Sequence, residues 1–444
     1  MSTQKSIKGS GGARPAHFPS FRLLPLALAI AAAGSAQAQS AAGANEDTMG
    51  VAQMDTVVVT AAGFEQEIKN APASISVITR EQLETKPFHN LADAVADVEG
   101  VTVERGGKAG GMNISIRGLP SDYTLVLVDG KRLNQNSSGA RPNGFGDVDT
   151  NFIPPMAAIE RIEVVRGPMS TLYGSDAMGG VINIITRKVG DVWSGSVTTE
   201  GTVQQHSKFG NSGQVSWYAN GPILKDQLGL QLWGRGFTRG EDRILSGTTG
   251  AKEYDFNGRL TFTPNEDHGI YLEGGKTRLR RSAEPGESLA ANSDGTYNIN
   301  TRDHWSLSHT GRWGPTTSEF SLQQEWAERT NFTRNTRTGR VTENARSPEV
   351  RNTVLDGKFT TPFELFGNHT LVTGGQYFEA RLTDQNPGRR TGRDETFSAT
   401  QWALFLEDEW RIVDNFALTG GLRLDNHEKY GNHFSPRLGA PRKS

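Results

Sequence analysis

The sequence has 444 residues, of which 47 are Lys or Arg and 49 are Asp or Glu, and its formal net charge is −2. This balanced charge does not indicate the clustered positive surface of a nucleic-acid-binding protein. The absence of cysteine excludes disulfides and thiolate metal sites. The mean hydropathy of −0.51 is typical of soluble proteins, but it does not exclude a transmembrane β-barrel, because barrel strands alternate lipid-facing and lumen-facing side chains.

Residues 1–38 predict a signal peptide. Several Lys and Arg residues precede an apolar run over residues 23–33, and Ala36 and Ala38 then supply the small side chains that a signal peptidase reads. The alternative is a membrane anchor, but a spanning helix needs about 20 apolar residues. We therefore expect export with cleavage after Ala38, and any membrane crossing to be made by strands.

Residues 39–62 predict a flexible tail, because Ala, Gly, Ser, Gln and acidic residues cannot bury a core. One segment of this tail is rich in β-branched residues, which favour extended structure. It consists of Asp55, Thr56, Val57, Val58, Val59, Thr60 and Ala61. From its pattern alone, this segment is an ordinary first strand.

Residues 63–190 predict a compact mixed α/β unit. Thr79 and Gln82 form a capping-box pattern at the start of a helix, and a second helix is expected over residues 91–96. Asp129-Gly130 is a hairpin turn signal. Strands are expected over residues 74–78, 114–117, 124–128, 161–165 and 181–186.

Residues 191–444 show a hydrophobic period of two in long stretches, such as Tyr254, Phe256, Leu260 and Phe262. These stretches fit the roughly 9–11 residues of a tilted membrane strand. Short turns are expected near residues 220–226, 264–267, 314–316 and 413–415, and long loops near residues 240–252, 281–300, 334–350 and 383–396. A soluble β-sandwich explains the alternation but not this asymmetry, which is typical of an outer-membrane barrel.

Several blocks in the α/β unit resemble the plug of TonB-dependent outer-membrane receptors. The blocks occur in the family's order at residues 71–78, 116–118, 127–130, 159–168 and 172–184. Residues 402–411 and 421–436 are similar to the colicin I receptor and its relatives among catecholate siderophore receptors. The resemblance implies a mainly β fold, in which an α/β plug is followed by an incomplete antiparallel transmembrane β-barrel with about 11–12 of 22 strands.

The resemblance also assigns roles to plug residues. Residues 55–61 match a TonB box, which would add an extended edge to a sheet of the periplasmic energy-coupling protein TonB. Arg117 and Arg166 match arginines that lie near barrel glutamates and lock the plug, and Glu160 lies in the same block as Arg166. The alternative is that both arginines pair only with plug carboxylates such as Glu160 or Glu163.

A ferric catecholate complex is anionic and aromatic, so cationic side chains at plug loops could bind it. Arg105, Lys108 and Arg141 lie in loop-like segments and are the candidates, although solvated loop charges are the simpler interpretation. Fe(III) would arrive with the substrate. The sequence indicates no catalytic residues, no metal ligands and no protein-bound cofactor, and therefore no enzyme.

The function implied by the resemblance is active uptake of a ferric siderophore across the outer membrane, with the plug and TonB box facing the periplasm. Colicins or phages are further partners implied by the group. Haem, cobalamin or ferric citrate remain alternative ligands, and a porin or adhesin is an alternative class that needs neither a plug nor a TonB box. Because about eleven strands and a cut twelfth follow the plug, we expect an open half-barrel that cannot transport by itself.

Overall fold

The computed structural model describes residues 57–58, 64, 66–67, 73–86, 88, 90–105, 112–133, 153–385, 394–413 and 416–439. The three α-helices in these ranges are short, and all lie in the plug: α1 (Arg80–Thr85), α2 (Leu91–Val95) and α3 (Ser170–Tyr173). Within the described ranges, no helix has both the length and the apolar character needed to cross a membrane.

The capping box at the start of α1 is confirmed. The backbone N–H of Gln82 donates to the Thr79 hydroxyl, and the Gln82 side chain accepts from the Thr79 backbone N–H at 3.0 Å. Hydrogen bonds from the Thr79 hydroxyl and from its own backbone N–H lower the pKa of Glu81 in the first turn. The negative charge of Glu81 interacts favourably with the positive end of the helix dipole. Together with the capping box, it favours the start of α1 at this position.

The plug contains one mixed sheet and two small ribbons. The sheet has the order β3-β8-β9-β6-β7, with β6 and β9 parallel, while β1 pairs with β2 and β4 pairs with β5. Apolar side chains of α2, β5, β8 and β9 form its buried core. The nine strands are β1 (Val57–Val58), β2 (Gln66–Glu67), β3 (Ser74–Ile78), β4 (Val101–Arg105), β5 (Met112–Ile116), β6 (Thr124–Val128), β7 (Lys131–Arg132), β8 (Ile159–Arg166) and β9 (Gly180–Thr186).

A second, larger sheet is antiparallel throughout and follows the chain order, apart from a short strand that pairs only with β16. Its strands are β10 (Ser194–Thr202), β11 (Ser212–Leu224), β12 (Leu228–Arg239), β13 (Gly250–Asn265), β14 (His268–Ala283), β15 (Gly295–Trp313), β16 (Thr316–Arg334), β17 (Val341–Glu343), β18 (Glu349–Glu364), β19 (Asn368–Asp384), β20 (Glu395–Val413), β21 (Phe416–His427) and β22 (Gly431–Gly439).

The large sheet is open. Among the described residues β10 pairs only with β11 and β22 only with β21, so two edges have no neighbour. The structure therefore has a folded plug beside an unclosed sheet of about 12 strands, as the sequence predicts. The sheet is a partial transmembrane barrel, and the expected fold class is confirmed.

The two faces of the large sheet differ in chemistry. On β13, Tyr254 and Phe256 are exposed on the outer face, whereas Glu253, Asn257 and Arg259 on the inner face are buried. The plug covers the inner face, which explains why its charged residues are buried. The outer face presents a band of apolar and aromatic side chains that suits lipid.

The strand ends show the predicted asymmetry. Short turns occupy residues 225–227, 266–267, 314–315 and 365–367, and long connections occupy residues 203–211, 240–249, 284–294 and 335–348, the last of which includes β17. Residues 428–430 are an exception, because they connect β21 to β22 by a short turn at the end where the long connections lie. The turn at 365–367 is absent from the sequence prediction. Its residues are Leu365, Phe366 and Gly367, which are not polar, and positive φ at the last two closes the turn. A search for polar turn residues therefore misses it.

Candidate functional site between the plug and the large sheet

The predicted TonB box lies partly within the described residues. Val57 and Val58 form β1, in which Val57 pairs with Glu67 and Val58 with Gln66. The other predicted members, Asp55, Thr56, Val59, Thr60 and Ala61, lie outside the described residues. An extended backbone at residues 57–58 has the geometry that strand addition requires.

The three predicted lock residues are placed at the plug surface. A guanidinium nitrogen of Arg166 donates to the Glu99 backbone oxygen at 2.8 Å and lies 3.4 Å from its carboxylate. Arg117 and Glu160 are exposed and form no ion pair with any residue that the structure describes. Their role as a lock with barrel glutamates stays a prediction.

The predicted ligand-binding residues are not assembled into one site by the described structure. Arg105 is the last residue of β4, where it pairs with Met112. Lys108 and Arg141 lie outside the described residues. Their contact with a ligand remains a prediction.

A buried ionic chain instead joins the plug to the wall at the β6–β7 turn. Asp129 accepts hydrogen bonds from the Thr186 backbone N–H at 2.8 Å and from Arg259 of β13 at 2.5 Å. Arg259 also donates to Glu273 of β14 at 2.6 Å, and Lys131 of the plug reaches the same carboxylate at 3.0 Å. We call these four charged residues, Asp129, Arg259, Glu273 and Lys131, the ionic chain. It crosses between plug and wall twice and alternates in sign.

Burial makes the ionic chain a strong constraint. The side chains of Lys131, Arg259 and Glu273 are each 12% exposed or less. Removing one member of a buried pair leaves an uncompensated charge, at a cost of about 3–5 kcal/mol. The sheet register positions the pair, because Arg259 and Glu273 are directly opposite in β13 and β14.

A second contact lies at α3 and uses backbone acceptors. Arg423 of β21, 1% exposed, donates to the Leu172 backbone oxygen at 3.3 Å and is oriented by Asp425 at 2.9 Å. On the plug side, Arg132 donates to the Tyr173 backbone oxygen. We call Arg423 and Arg132 the arginine clamp.

Gly174 lies between the two clamp guanidiniums. A Cβ at this position would approach the Arg423 guanidinium to 3.1 Å and the Arg132 guanidinium to 3.6 Å, and the glycine has φ +83°. The left-handed backbone and the lack of space both favour glycine here. Apolar packing adds to the contact, since plug residues Leu125, Met169 and Leu172 pack with Val372 of the wall.

The long connections are also ordered by charge. Asp242 in the β12–β13 loop accepts from the backbone N–H groups of Gly210 and Thr248, each at 2.9 Å, and from Arg239 at 2.5 Å. Burial opposes its ionisation, but these donors outweigh burial and lower the pKa of Asp242. The loop therefore has a fixed shape beside the β10–β11 connection.

The described residues contain no group of three or more His, Cys, Asp or Glu side chains that could hold a metal ion. The dominant chemistry of the interface is thus buried ion pairing and hydrogen bonding between two structural units. The sequence pattern predicts the Asp129-Gly130 turn and the alternation of β13, but it does not predict that Asp129 contacts β13. Charged residues that alternate with apolar ones along the strands are the sequence signal for partners on the inner face.

A mixed α/β plug held against the polar inner face of a transmembrane antiparallel sheet defines a plugged barrel protein of the outer-membrane type. Residues 67–181 match the family model for the TonB-dependent receptor plug domain, and residues 212–440 match that for the TonB-dependent receptor-like β-barrel. The chain belongs to the TonB-dependent receptor family.

Three similar proteins illustrate the match. The iron-regulated outer membrane virulence protein of Vibrio cholerae is 42% identical over 394 residues, covering 86% of this chain and 56% of that protein. The ferrienterobactin receptor of Escherichia coli is 29% identical, covering 87% and 59%. The crystal structure of the siderophore receptor PirA from Acinetobacter baumannii has a TM-score of 0.72 at 28% identity, covering 83% and 59%. The chain thus spans somewhat over half the length of these relatives.

Proposed function

We propose that the chain supplies the plug and strands β10–β22 of a TonB-dependent outer-membrane receptor for active uptake of an iron–siderophore complex, with a ferric catecholate as the substrate class. The observation that carries the proposal is a plug held to the wall by discrete buried ionic contacts. Such a plug covers the inner face of the large sheet. It can also move once a small number of ionic contacts break.

The N-terminal strand supplies a route for the force. β1 pairs with β2 along one edge, and its other edge has no partner strand among the described residues, so another sheet can add there. A pull on residues 55–61 would then load the plug. The siderophore assignment draws on the relatives that are named as ferrienterobactin or siderophore receptors.

The coupling step is tested by Val58→Pro. Proline removes a backbone donor from the edge that would pair with TonB, so we expect retention of the chain by the immobilised periplasmic domain of TonB to fall about tenfold or more. Val58→Thr is the matched control, because threonine is β-branched and keeps its N–H. Unchanged retention of the proline variant would rule out residues 55–61 as the TonB box.

The substrate class is tested by ligand binding to the purified chain in detergent, measured by quenching of tryptophan fluorescence. We expect a ferric tricatecholate to bind more tightly than haem, cobalamin or ferric citrate. Neutralising Arg105, Lys108 and Arg141 together to glutamine should weaken this binding about tenfold, because each loses a charge-assisted contact. Lys86→Gln is the control, since Lys86 is already paired with Asp97 in the plug.

Tighter binding of one of the other three ligands would replace the catecholate assignment while leaving the coupling step intact. If the catecholate binds tightly but the triple variant binds it equally well, the three candidate residues are not its contacts. Binding assays suit this chain because they do not require a closed sheet.

A further inference from the structure

The outer face of the large sheet carries a group of cations near the long connections. Three exposed cations alternate with buried inner-face residues on two neighbouring strands: Lys252 on β13, and Arg278 and Arg280 on β14. Lys252 is directly opposite Arg280 in the register, and Arg278 is directly opposite Tyr254. We call Lys252, Arg278 and Arg280 the outer cation group.

Carboxylates do not neutralise this group. Like charges directly opposite each other in a sheet are destabilising, and none of the three cations has an ion-pair partner in the part of the chain that the structure describes. The next outward cation on β14, Lys276, differs in this respect because it binds Asp303 at 2.9 Å. An anion from outside the chain would relieve the repulsion.

Aromatic rings hold one of the cations in position. The Arg280 guanidinium lies over the Tyr297 ring at 4.3 Å, and Tyr297 stacks on Phe332 with their centroids 4.6 Å apart. Stacking fixes the plane of the guanidinium and leaves its N–H edge free to bind an oxyanion in a bidentate manner. The group is therefore partly pre-organised.

The position of the group indicates the source of the anion. Along the same two strands, Tyr254, Phe256 and Leu272 form the exposed apolar band, at 59%, 55% and 49% exposure. Arg278 lies level with Tyr254 at the edge of this band, and Lys252 and Arg280 lie one outward-facing position nearer the long connections, where we expect hydrocarbon to give way to lipid headgroups. A lipid can place its acyl chains on the apolar band and its phosphate on the cations at the same time.

We propose that Lys252, Arg278 and Arg280, backed by Tyr297, bind the phosphate of a membrane lipid headgroup at the long-connection end of the sheet. The proposal depends on the sheet lying in a membrane and is independent of iron uptake. Arginine forks match phosphate oxygens, and the adjacent apolar band favours a lipid over a free anion.

The test is native mass spectrometry of the full chain in a zwitterionic detergent, titrated with phosphatidic acid or with diacylglycerol of the same acyl chains. We expect phosphatidic acid to bind and diacylglycerol to bind at least tenfold more weakly. The triple variant Lys252→Gln, Arg278→Gln, Arg280→Gln should lose about 100-fold in affinity, since each cation near a membrane surface contributes roughly fivefold.

Lys276→Gln is the matched control, and we expect it to bind phosphatidic acid within about twofold of the parent chain, because Asp303 already neutralises Lys276. The triple variant should unfold no earlier than the parent, since it removes a cross-strand repulsion. Equal binding of diacylglycerol, an equal loss in the control, or full displacement by inorganic phosphate alone at millimolar concentration would overturn the proposal.

Discussion

We expect Glu273→Ala to destabilise the folded chain by about 3–5 kcal/mol. Glu273 is the carboxylate that Arg259 of the wall and Lys131 of the plug share, so its removal leaves Lys131 without a carboxylate and Arg259 with Asp129 alone. The measurement is the midpoint of chemical unfolding in detergent micelles, followed by the fluorescence of the 8 tryptophans. Trp233, whose ring lies 5.6 Å from the Arg259 guanidinium, is a local reporter.

Asp303→Ala is the control for this experiment. It breaks the Lys276–Asp303 pair on the outer face, where the two side chains are 66% and 47% exposed, and exposed pairs contribute about 0–1 kcal/mol. The two variants therefore compare an inner and an outer ion pair that both involve β14. Similar, small shifts for both variants would show that the ionic chain does not stabilise the plug against the wall.

Arg423→Ala should release α3 from the wall. The variant loses the hydrogen bond to the Leu172 backbone oxygen and leaves Asp425 without its cation, and hydrogen bonds that involve a charged group contribute about 1.5–3 kcal/mol. The chain has no cysteine, so Thr171→Cys gives a unique thiol at a position that is 2% exposed. We expect this thiol to react with a maleimide about tenfold faster or more when Arg423 is replaced.

The matched control replaces Arg381, an exposed outer-face arginine that pairs with Glu379. Arg381→Ala should leave the labelling rate of the cysteine at position 171 unchanged, because it has no contact with the plug. An equally slow rate in the Arg423 variant would mean that apolar packing with Val372 suffices to hold α3.

Local sequence patterns predict the turns, helices and strands, but they do not predict which residues meet across the plug–wall interface. The hairpin signal at Asp129-Gly130 and the capping box at Thr79 are decided by residues within a few positions, and both are confirmed. The bond between Asp129 and Arg259 joins residues 130 positions apart. Neither local sequence specifies this contact, because it depends on the register of β13 and on the position of the plug against the large sheet.

The Arg166 pairing illustrates the same limit at shorter range. The sequence offered Glu160 and Glu163 as nearby carboxylates, but Glu163 accepts from Arg161, and Arg166 reaches back to Glu99. Neighbours along a strand point to alternating faces, so proximity in sequence is a poor guide to pairing. The turn at residues 365–367 has no polar sequence signal for a different reason: its apolar residues suit a membrane boundary, where Trp410 donates to the Phe366 backbone oxygen.

The burial of the ionic chain determines how the plug responds to the surrounding medium. Dissolved ions screen charges that face water, over a Debye length of about 8 Å at physiological ionic strength, but they screen buried pairs much less. The pairs of Glu273 with Arg259 and Lys131 lie where few counterions can reach. Changes in salinity outside the cell should therefore have little effect on these plug–wall contacts, while pairs in the long connections, such as Arg243–Glu287, weaken.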